Sequence, residues 1–317
     1  MTDKLIVITG PTASGKSSIA VEVAKNFRSE IISCDSQQIY KDMNIGTNKI
    51  TEEEMAGIAH HLIDFVNPKD EYSVQGFSKK ARKLIKDINK RGHIPILTGG
   101  TGFYIDSILF EMNYGSAPKN EDIRKKYQTI RDEKGDKYLH SLLEDIDKKS
   151  AEKYHYNETN RIIRALEIYE LTGKAPSDVK KGRNKENPNI DPLLFFINYE
   201  DRSILYDKIN QRVIKMFEEG LYDEFISLID NYKLSKENQS MKAIGYKELF
   251  NIYEDTLTTD ETIKLIQRNT RRYAKRQVTW MRRYLYYSFT SYIARDNTNK
   301  EEIVKKIVGE IQGKYDI

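Results

Sequence analysis

The segment of residues 5–27, LIVITGPTASGKSSIAVEVAKNF, constrains the fold more than any other part of the chain. An apolar run comes first, then eight residues that fit the pattern G-x-x-x-x-G-K-[ST], then apolar positions spaced for one face of a helix. In this order, successive backbone N–H groups and the positive end of the helix form a cradle for phosphate groups. The sequence therefore predicts a phosphate-binding loop formed by Gly10, Pro11, Thr12, Ala13, Ser14, Gly15, Lys16 and Ser17. Lys16 would add a mobile positive charge, and the Ser17 hydroxyl could bind Mg²⁺.

Further apolar runs indicate the rest of the sheet. Residues 31–33, 62–66, 94–98 and 193–197 are predicted to be short strands, and several are apolar throughout, which is typical of parallel strands covered on both faces. Helical patterns separate them. We therefore predict an α/β fold of the P-loop NTPase-like class, in which helices flank a parallel sheet, with a helical insertion domain and a helical C-terminal portion.

The insertion is predicted where the strand pattern stops, from about residue 111 to residue 192. Charged helical segments take over there, including NEDIRKKYQTIRDEKG and NRIIRALEIYELTGK, and Gly173 is placed to end the second of them. A polar linker, KKGRNKENPNIDP, closes the region. The predicted domains are residues 1–112 for the first part of the core, 113–190 for the insertion, and 191–317 for the rest of the core with a basic helical portion.

Two segments that follow predicted strands carry candidate chemistry. EIISCDSQQIY delivers Asp35 to the end of one strand, and IPILTGGTGFYI brings Thr101 to the end of another, beside glycines that allow close backbone approach. Enzymes that hydrolyse nucleotides usually have an acidic residue after a strand to organise metal and water, and Asp35 is the one good candidate. Asp35 is therefore either a metal organiser or a base for substrate chemistry, and its spacing leaves both open.

Composition indicates the cellular location in which the protein is expected. The 317 residues include one cysteine, Cys34, so no disulfide can form within the chain and a reducing, cytoplasmic location is expected. No apolar run approaches the roughly 18 residues of a membrane span. The apolar run at the start leads directly into the phosphate loop, which leaves no room for a signal peptide. We therefore expect neither membrane insertion nor export.

A basic block near the C-terminus predicts binding of RNA or nucleotide phosphates. Net charge is only +4, yet residues 267–287 contain seven Arg and Lys residues, interleaved with aromatic side chains, and no acidic residue. Ala274, Val278, Met281 and Leu285 repeat at helical spacing, so we expect this stripe to pack on the core.

Six segments together resemble one family. They are GPTASGKS, ISCDSQQIYKDMNIGTNK, GGTGFYIDSIL, NRIIRALEIYELTGK, MKAIGYKEL and AKRQVTWMRR, and they resemble the tRNA dimethylallyltransferases, also called tRNA isopentenyltransferases or IPP transferases. The resemblance runs in family order from about residue 5 to residue 283. It implies transfer of a dimethylallyl group from dimethylallyl diphosphate to the exocyclic amino nitrogen of the adenine 3′-adjacent to the anticodon in tRNA, with release of diphosphate. The loop would then hold the diphosphate of a prenyl donor, where the bare motif would suggest ATP.

The resemblance also implies roles for particular residues. Asp35 would be the general base, Lys16 and the loop with Mg²⁺ at Ser17 would stabilise the leaving diphosphate, and Thr101 would lie close to the substrate. The implied tRNA contacts are Asp35, Ser36, Gln37, Gln38, Thr101, Arg124, Asn160, Arg161, Arg164, Lys242, Gly245, Lys247, Lys275, Arg276, Gln277, Trp280 and Arg282.

The target adenine would flip out of its stack, and the insertion and the basic helix would hold the anticodon stem-loop of the tRNA, with the chain acting as a monomer. Departures from the family pattern are mild. Ser17 replaces a common threonine, and Lys242 and Lys247 replace the arginines of some relatives, which keeps the charge but loses the bidentate fork. The C-terminal region has no Cys/His spacing for the zinc finger of eukaryotic relatives.

Three other functions compete. A small-molecule or nucleotide kinase would use the loop for ATP and the insertion as a lid, but it leaves the basic aromatic block unexplained. A prenyltransferase that acts on free AMP or ADP would need neither that block nor the insertion. A nucleotide-switched RNA-binding protein would leave Asp35 without a role.

Overall fold

The computed structural model describes residues 2–112, 119–179, 185–296 and 298–316. Within them, one sheet is formed by β1 (Asp3–Thr9), β2 (Ser29–Ser33), β3 (His60–His61), β4 (Ile94–Gly99), β5 (Ile190–Asn198) and β6 (Thr290–Ala294). All pairs are parallel, in the order β3-β2-β4-β1-β5-β6. The predicted parallel α/β sheet is therefore confirmed.

The described residues also form α-helices. They are α1 (Lys16–Ala24), α2 (Glu52–Met55), α3 (Val74–Lys90), α4 (Gly102–Leu109), α5 (Glu121–Lys134), α6 (Asp136–Ile146), α7 (Lys148–Lys153), α8 (Thr159–Thr172), α9 (Pro176–Val179), α10 (Arg202–Glu218), α11 (Leu221–Tyr232), α12 (Tyr246–Tyr253), α13 (Thr259–Met281) and α14 (Lys300–Tyr315). Short 3₁₀ turns occupy Ser240–Lys242 and Arg282–Tyr286. None of these helices is both long enough and apolar enough to cross a membrane.

The central strand shows why the apolar runs form a parallel sheet. Successive side chains of β1 point to opposite faces, and Leu5, Ile6, Val7 and Ile8 are all completely buried. Ile6 and Ile8 pack in one cluster with residues of α1 and α14, while α3 contacts β1 and β4. A strand covered by helices on both faces needs an uninterrupted apolar sequence, which is what LIVI supplies.

Two strand predictions differ from the structure. Residues 62–66 are not a strand, because Leu62 and Asp64 have positive φ angles of 57° and break the extended backbone. The strand of this region is His60–His61, and Val66 forms only an isolated bridge with Tyr40. The edge strand β6 was not predicted, since Ile293 is its only fully buried residue and its sequence, TSYIA, lacks an apolar run.

The described chain divides into two compact units. Residues Phe110–Glu186 form one, built from α5 to α9 around a small core that includes Leu139, Leu143, Ile162 and Leu166. Gly173 ends α8 in the left-handed conformation, as the sequence predicts. The rest of the described chain forms the other unit. Residues 180–184, the start of the predicted linker, lie outside the described residues.

The basic block is largely helical, as its spacing predicts, but its apolar stripe is shorter than expected. Helix α13 starts at a capping box formed by Thr258 and Glu261 and ends at Met281. Ala274 and Met281 are buried, whereas Leu285 lies in the following 3₁₀ turn and is 46% exposed. The prediction that Leu285 packs on the core was wrong, because the helix that would have turned it inward has already ended.

Candidate active site

The predicted site loops meet at one edge of the sheet. Strand β4 lies between β1 and β2, so the loops that follow these three parallel strands emerge side by side. Backbone and side-chain bonds join them: Thr9 Oγ1 donates to the Gly99 carbonyl oxygen at 2.9 Å, and the Cys34 N–H donates to that of Thr98 at 2.7 Å. Gly99 has to be glycine here, because a Cβ atom would lie 2.1 Å from the carbonyl oxygen of Cys34.

The phosphate loop turns the chain from β1 directly into α1. Gly15 is the N-cap of α1 and has a φ of 76°, a conformation that glycine adopts without strain. The helix starts at Lys16, so its first N–H groups and the positive end of its dipole face the loop. The predicted strand, loop and helix are therefore present in the order that phosphate binding requires.

Two cations lie beside this loop and near one carboxylate. Burial and, to a smaller extent, the positive charge of Arg212 lower the pKa of Lys16 to about 8, although the negative charge of Asp35 acts in the opposite direction. Burial likewise lowers the pKa of Arg212 to about 10, again against the influence of Asp35. Arg212 donates from Nη1 to the Thr12 hydroxyl at 3.0 Å. Since both cations are poorly solvated, this part of the site favours an anionic ligand.

Asp35 is held at the start of the segment DSQQ. Its Oδ1 accepts hydrogen bonds from the N–H groups of Gln37 at 2.8 Å and Gln38 at 3.3 Å. The Thr101 hydroxyl accepts from the N–H of the neighbouring Ser36 at 3.0 Å. The predicted residues Asp35 and Thr101, 66 positions apart in sequence, are thus brought together by the pairing of β2 with β4.

Gln277 connects two of these loops from α13. Its Oε1 accepts from the N–H of Thr12, and its Nε2 donates to the Gly100 carbonyl oxygen, both at 2.9 Å. The side chain is only 6% exposed. Both ends of its amide are thus used inside the protein, so Gln277 has a structural role here, and direct contact with tRNA stays a prediction.

Two cavities open among these residues. The loop cavity is lined by Thr12, Lys16, Ser17, Ile31, Ser33, Asp35, Gln38, Thr47, Asn48, Ile50, His60, Ile63, Thr98, Gly99, Arg212, Tyr273 and Gln277. The basic cavity is lined by Thr12, Asp35, Ser36, Gln37, Gly46, Thr47, Ile209, Arg212, Val213, Met216, Lys242, Ala243, Ile244, Gly245, Lys247, Ile266, Thr270, Tyr273 and Arg276. Both are lined by Asp35 and Arg212, so these two residues lie where the cavities meet.

Other predicted tRNA contacts outside residues Phe110–Glu186 fall into two groups. Lys242, Gly245, Lys247 and Arg276 line the basic cavity, and their three cationic side chains are exposed. Lys275 and Arg282 are exposed as well, but they line a separate crevice on another side of α13.

Trp280 supports the loop after β4. A Cβ atom at Gly102 would lie 2.2 Å from the Trp280 ring, so the two residues are in close contact. The Arg283 guanidinium lies 4.1 Å from the centre of the same ring. Part of the ring is still accessible, which leaves the predicted RNA contact compatible with its position.

In the unit of residues Phe110–Glu186, the predicted contacts are arranged around a buried acid. Arg124 binds both carboxylate oxygens of Glu167, at 2.9 and 3.1 Å, and Arg164 binds one of them at 2.6 Å. These bonds outweigh the effect of burial and lower the pKa of Glu167. Asn160 and Arg161 are exposed at the start of α8. Arg124 and Arg164 thus have a structural role in addition to any RNA contact.

Arg212 is the site residue that the sequence analysis missed. It lies on α10 between the buried residues Ile209, Val213 and Met216, on the face of the helix that packs inward. An arginine inside an apolar stripe is unusual unless its charge has a partner, and that signal could have identified it.

Few side chains of the described residues are placed to act as ligands of a metal ion. Among the described residues, no group of three or more His, Cys, Asp or Glu side chains could hold a metal. Ser17 and Asp35 both line the loop cavity, however, and Mg²⁺ commonly binds through one or two protein oxygens, substrate phosphates and water. The residues present therefore fit an ion that arrives with a phosphate ligand.

Fold and site together define a P-loop-like α/β protein whose phosphate loop opens beside a carboxylate and a basic cavity. The family model of the IPP transferases matches residues 38–284. The tRNA dimethylallyltransferase of Thermoanaerobacter sp. (strain X514) is 44% identical over 315 residues, which cover 99% of each chain.

Two solved structures are also similar. The tRNA isopentenylpyrophosphate transferase of Bacillus halodurans is 39% identical with a TM-score of 0.72, and the match covers 98% of this chain and 96% of that one. A eukaryotic dimethylallyltransferase, described as acting on tRNA, is 30% identical with a TM-score of 0.82, and the match covers 99% and 80% of the two chains. The chain therefore belongs to the IPP transferase family and is a prenyltransferase.

Proposed function

We propose that this chain transfers a dimethylallyl group from dimethylallyl diphosphate to the exocyclic amino nitrogen of the adenine 3′-adjacent to the anticodon in tRNA. The observation that carries the proposal is the meeting of the loop cavity and the basic cavity at Asp35 and Arg212. A reaction between a diphosphate and an RNA base needs two such binding sites with the reacting atoms between them. Similarity to tRNA dimethylallyltransferases over nearly the whole chain supports the identity of both substrates.

The loop cavity is the proposed donor site. Lys16, Arg212 and the N-terminus of α1 supply positive charge for a diphosphate, and binding it would relieve the cost of two poorly solvated cations. Ile31, Ile50 and Ile63 line the same cavity and offer apolar contacts to a prenyl chain. A prenyl diphosphate carries both of the groups that these contacts would bind, a diphosphate and an apolar chain.

The basic cavity is the proposed acceptor site. Lys242, Lys247 and Arg276 can bind the phosphates that flank a flipped adenine. The side-chain oxygen of Gln37, which also lines this cavity, is buried and has no hydrogen-bond partner among the described residues. The amino group of adenine could donate to that oxygen, whereas guanine has a carbonyl group at the same ring position and could not.

The chemistry that follows needs one base and a stabilised leaving group. The nitrogen lone pair forms a bond to the allylic carbon as the carbon–oxygen bond breaks, and the electron pair of that bond leaves with the diphosphate. Lys16, Arg212 and the loop N–H groups would stabilise the charge that develops there. The nitrogen becomes positively charged and passes its extra proton to the Asp35 carboxylate. Because the hydrogen bonds that Asp35 accepts from Gln37 and Gln38 both use Oδ1, we assign the proton to Oδ2.

Ser17 is the residue proposed to hold Mg²⁺, together with oxygens of the diphosphate. When bound, the ion would add positive charge at the leaving group. We also propose that the chain acts as a monomer in the cytoplasm.

The test uses purified protein, Mg²⁺ and radiolabelled dimethylallyl diphosphate. The acceptors are an anticodon stem-loop with adenine 3′ of the anticodon, the same stem-loop with guanine there, and free AMP. Label on the adenine stem-loop alone is expected. Label on AMP would instead support a prenyltransferase of free nucleotides, and ATP turnover without any label would support a kinase.

A further inference from the structure

The carboxylate of Glu224 accepts four hydrogen bonds. It lies in the first turn of α11. Its Oε2 accepts from the N–H groups of Asn44 and Ile45, both at 2.8 Å. Its Oε1 accepts from the N–H of Gly46 at 3.1 Å and from the Tyr246 hydroxyl at 2.6 Å. Three consecutive N–H groups of a loop are thus bound by a single side chain through charge-assisted hydrogen bonds.

The loop also packs against the ring of Tyr246. This residue is completely buried, and a Cβ atom at Gly46 would lie 2.4 Å from its ring. Residues 44–46 are therefore held by ring contact as well as by the carboxylate. The backbone there has little freedom to shift unless Glu224 or Tyr246 changes.

The same loop continues to the site. The carbonyl oxygens of Thr47 and Asn48 accept hydrogen bonds from Gln38 Nε2 at 3.2 and 3.0 Å. The Gln38 N–H in turn donates to Asp35 Oδ1. Hydrogen bonds and the backbone of residues 44–48 thus connect Glu224 to Gln38 and to the proposed base.

We propose that Glu224 is a positioning residue for the acceptor. It holds residues 44–46, so that Gly46 and Thr47 keep their place in the wall of the basic cavity and Thr47 and Asn48 orient Gln38 in the adjoining loop cavity. Glu224 lines neither cavity and so acts only through the loop. This inference rests on the proposed function, because it assigns the wall formed by Gly46 and Thr47 to the side of the site that receives the adenine. The diphosphate side depends on Lys16 and the loop of residues 10–17, which Glu224 does not contact.

The test is Glu224→Gln, which keeps the size of the side chain but places an amide NH₂ where a carboxylate oxygen accepts from N–H groups. Hydrogen exchange at the amides of Asn44, Ile45 and Gly46 should become faster. We expect kcat/KM for the stem-loop to fall about tenfold, the size of losing one charge-assisted hydrogen bond. KM for dimethylallyl diphosphate should stay within about twofold, since its proposed contacts are intact.

The matched control is Asp223→Asn. Asp223 is exposed in the same first turn of α11, so the change removes the same charge from the same helix end without touching the loop. A second variant, Tyr246→Phe, removes one donor and leaves the carboxylate with its three N–H partners. It should give a smaller loss in the stem-loop reaction and can replace Glu224→Gln if that variant does not fold.

Three results would overturn the inference. The first is unchanged exchange at residues 44–46 in Glu224→Gln, and the second is a stem-loop kcat/KM equal to that of Asp223→Asn. The third is an equal fall in the donor and acceptor parameters, which would indicate general loosening. If the unchanged protein transferred no label, the proposed function itself would fail, and the exchange data would still report separately whether Glu224 holds the loop.

Discussion

Binding of the donor should be accompanied by uptake of a proton at Lys16. With a pKa of about 8 in the unliganded protein, Lys16 is about half charged at pH 8, about nine-tenths charged at pH 7 and about one-tenth charged at pH 9. A diphosphate beside the amine favours its charged form and returns its pKa towards the ordinary value. Uptake should therefore be about 0.1 proton at pH 7, 0.5 at pH 8 and 0.9 at pH 9. By the same linkage, affinity for the donor should fall as the pH rises above 8.

Titration calorimetry in two buffers measures this uptake directly. Dimethylallyl diphosphate is titrated into the protein at pH 8 in HEPES and in Tris, whose ionisation enthalpies differ, and the difference between the observed enthalpies gives the protons taken up. Lys16→Met provides the background from the donor and from other groups. Lys25→Met, which changes an exposed lysine just after α1, should leave the uptake unchanged.

Two results would refute this reasoning. Equal enthalpies in the two buffers for the unchanged protein would mean that Lys16 is already charged before the donor arrives. Uptake of the same size in Lys16→Met would place the titrating group elsewhere. Either result would show that the poor solvation of the Lys16 amine is not what prepares this site for an anion.

Three further predictions follow from the same geometry. Lys16→Met should stabilise the unliganded protein at pH 7 by up to about 3 kcal/mol, which is the free energy equivalent of a pKa lowered from 10.5 to about 8. This gain in stability should shrink between pH 8 and 10.5, because the folded protein loses the Lys16 proton in that range before the unfolded chain does. Urea unfolding at several pH values measures the free energy of unfolding. Asp35→Ala should keep donor and stem-loop binding but lose most turnover, and loss of Mg²⁺-dependent donor binding with chemistry intact at saturation would instead assign Asp35 to the metal. Gln277→Leu removes the bonds to Thr12 and Gly100, so it should cost about 1–3 kcal/mol of unfolding free energy and weaken donor binding, and an unchanged Kd for dimethylallyl diphosphate would contradict that role.

Local sequence patterns predicted the parts of the fold that depend on local chemistry. The run LIVIT, the glycine-rich loop and the helix after it are a contiguous unit, and each part has its own signature. Gly173 ends its helix because a left-handed residue is needed there, which is equally local. The position of Asp35 after β2 follows from the strand that precedes it.

Other features could not be predicted from local sequence patterns. Residues 62–66 have strand-like composition, but positive φ angles at Leu62 and Asp64 turn the chain out of the sheet. Helix α10 carries Arg212 to Thr12, 200 positions away in sequence, and no local pattern gives that distance. Gln277 is in a segment that the resemblance assigns to tRNA, yet its amide points inward, because a helix alternates inner and outer faces every few residues.

Helix α13 links the two proposed substrates through a single rigid element. Its exposed residue Arg276 lines the basic cavity, and the next residue, Gln277, bonds to the phosphate loop and to the loop after β4. Neighbouring residues on a helix point about 100° apart, so one face can bind RNA while the adjacent face holds the donor loop. A displacement of α13 by bound RNA would shift Thr12 and Gly100 together, since both are attached to the same amide. The geometry of the donor site therefore depends directly on the element proposed to hold the acceptor.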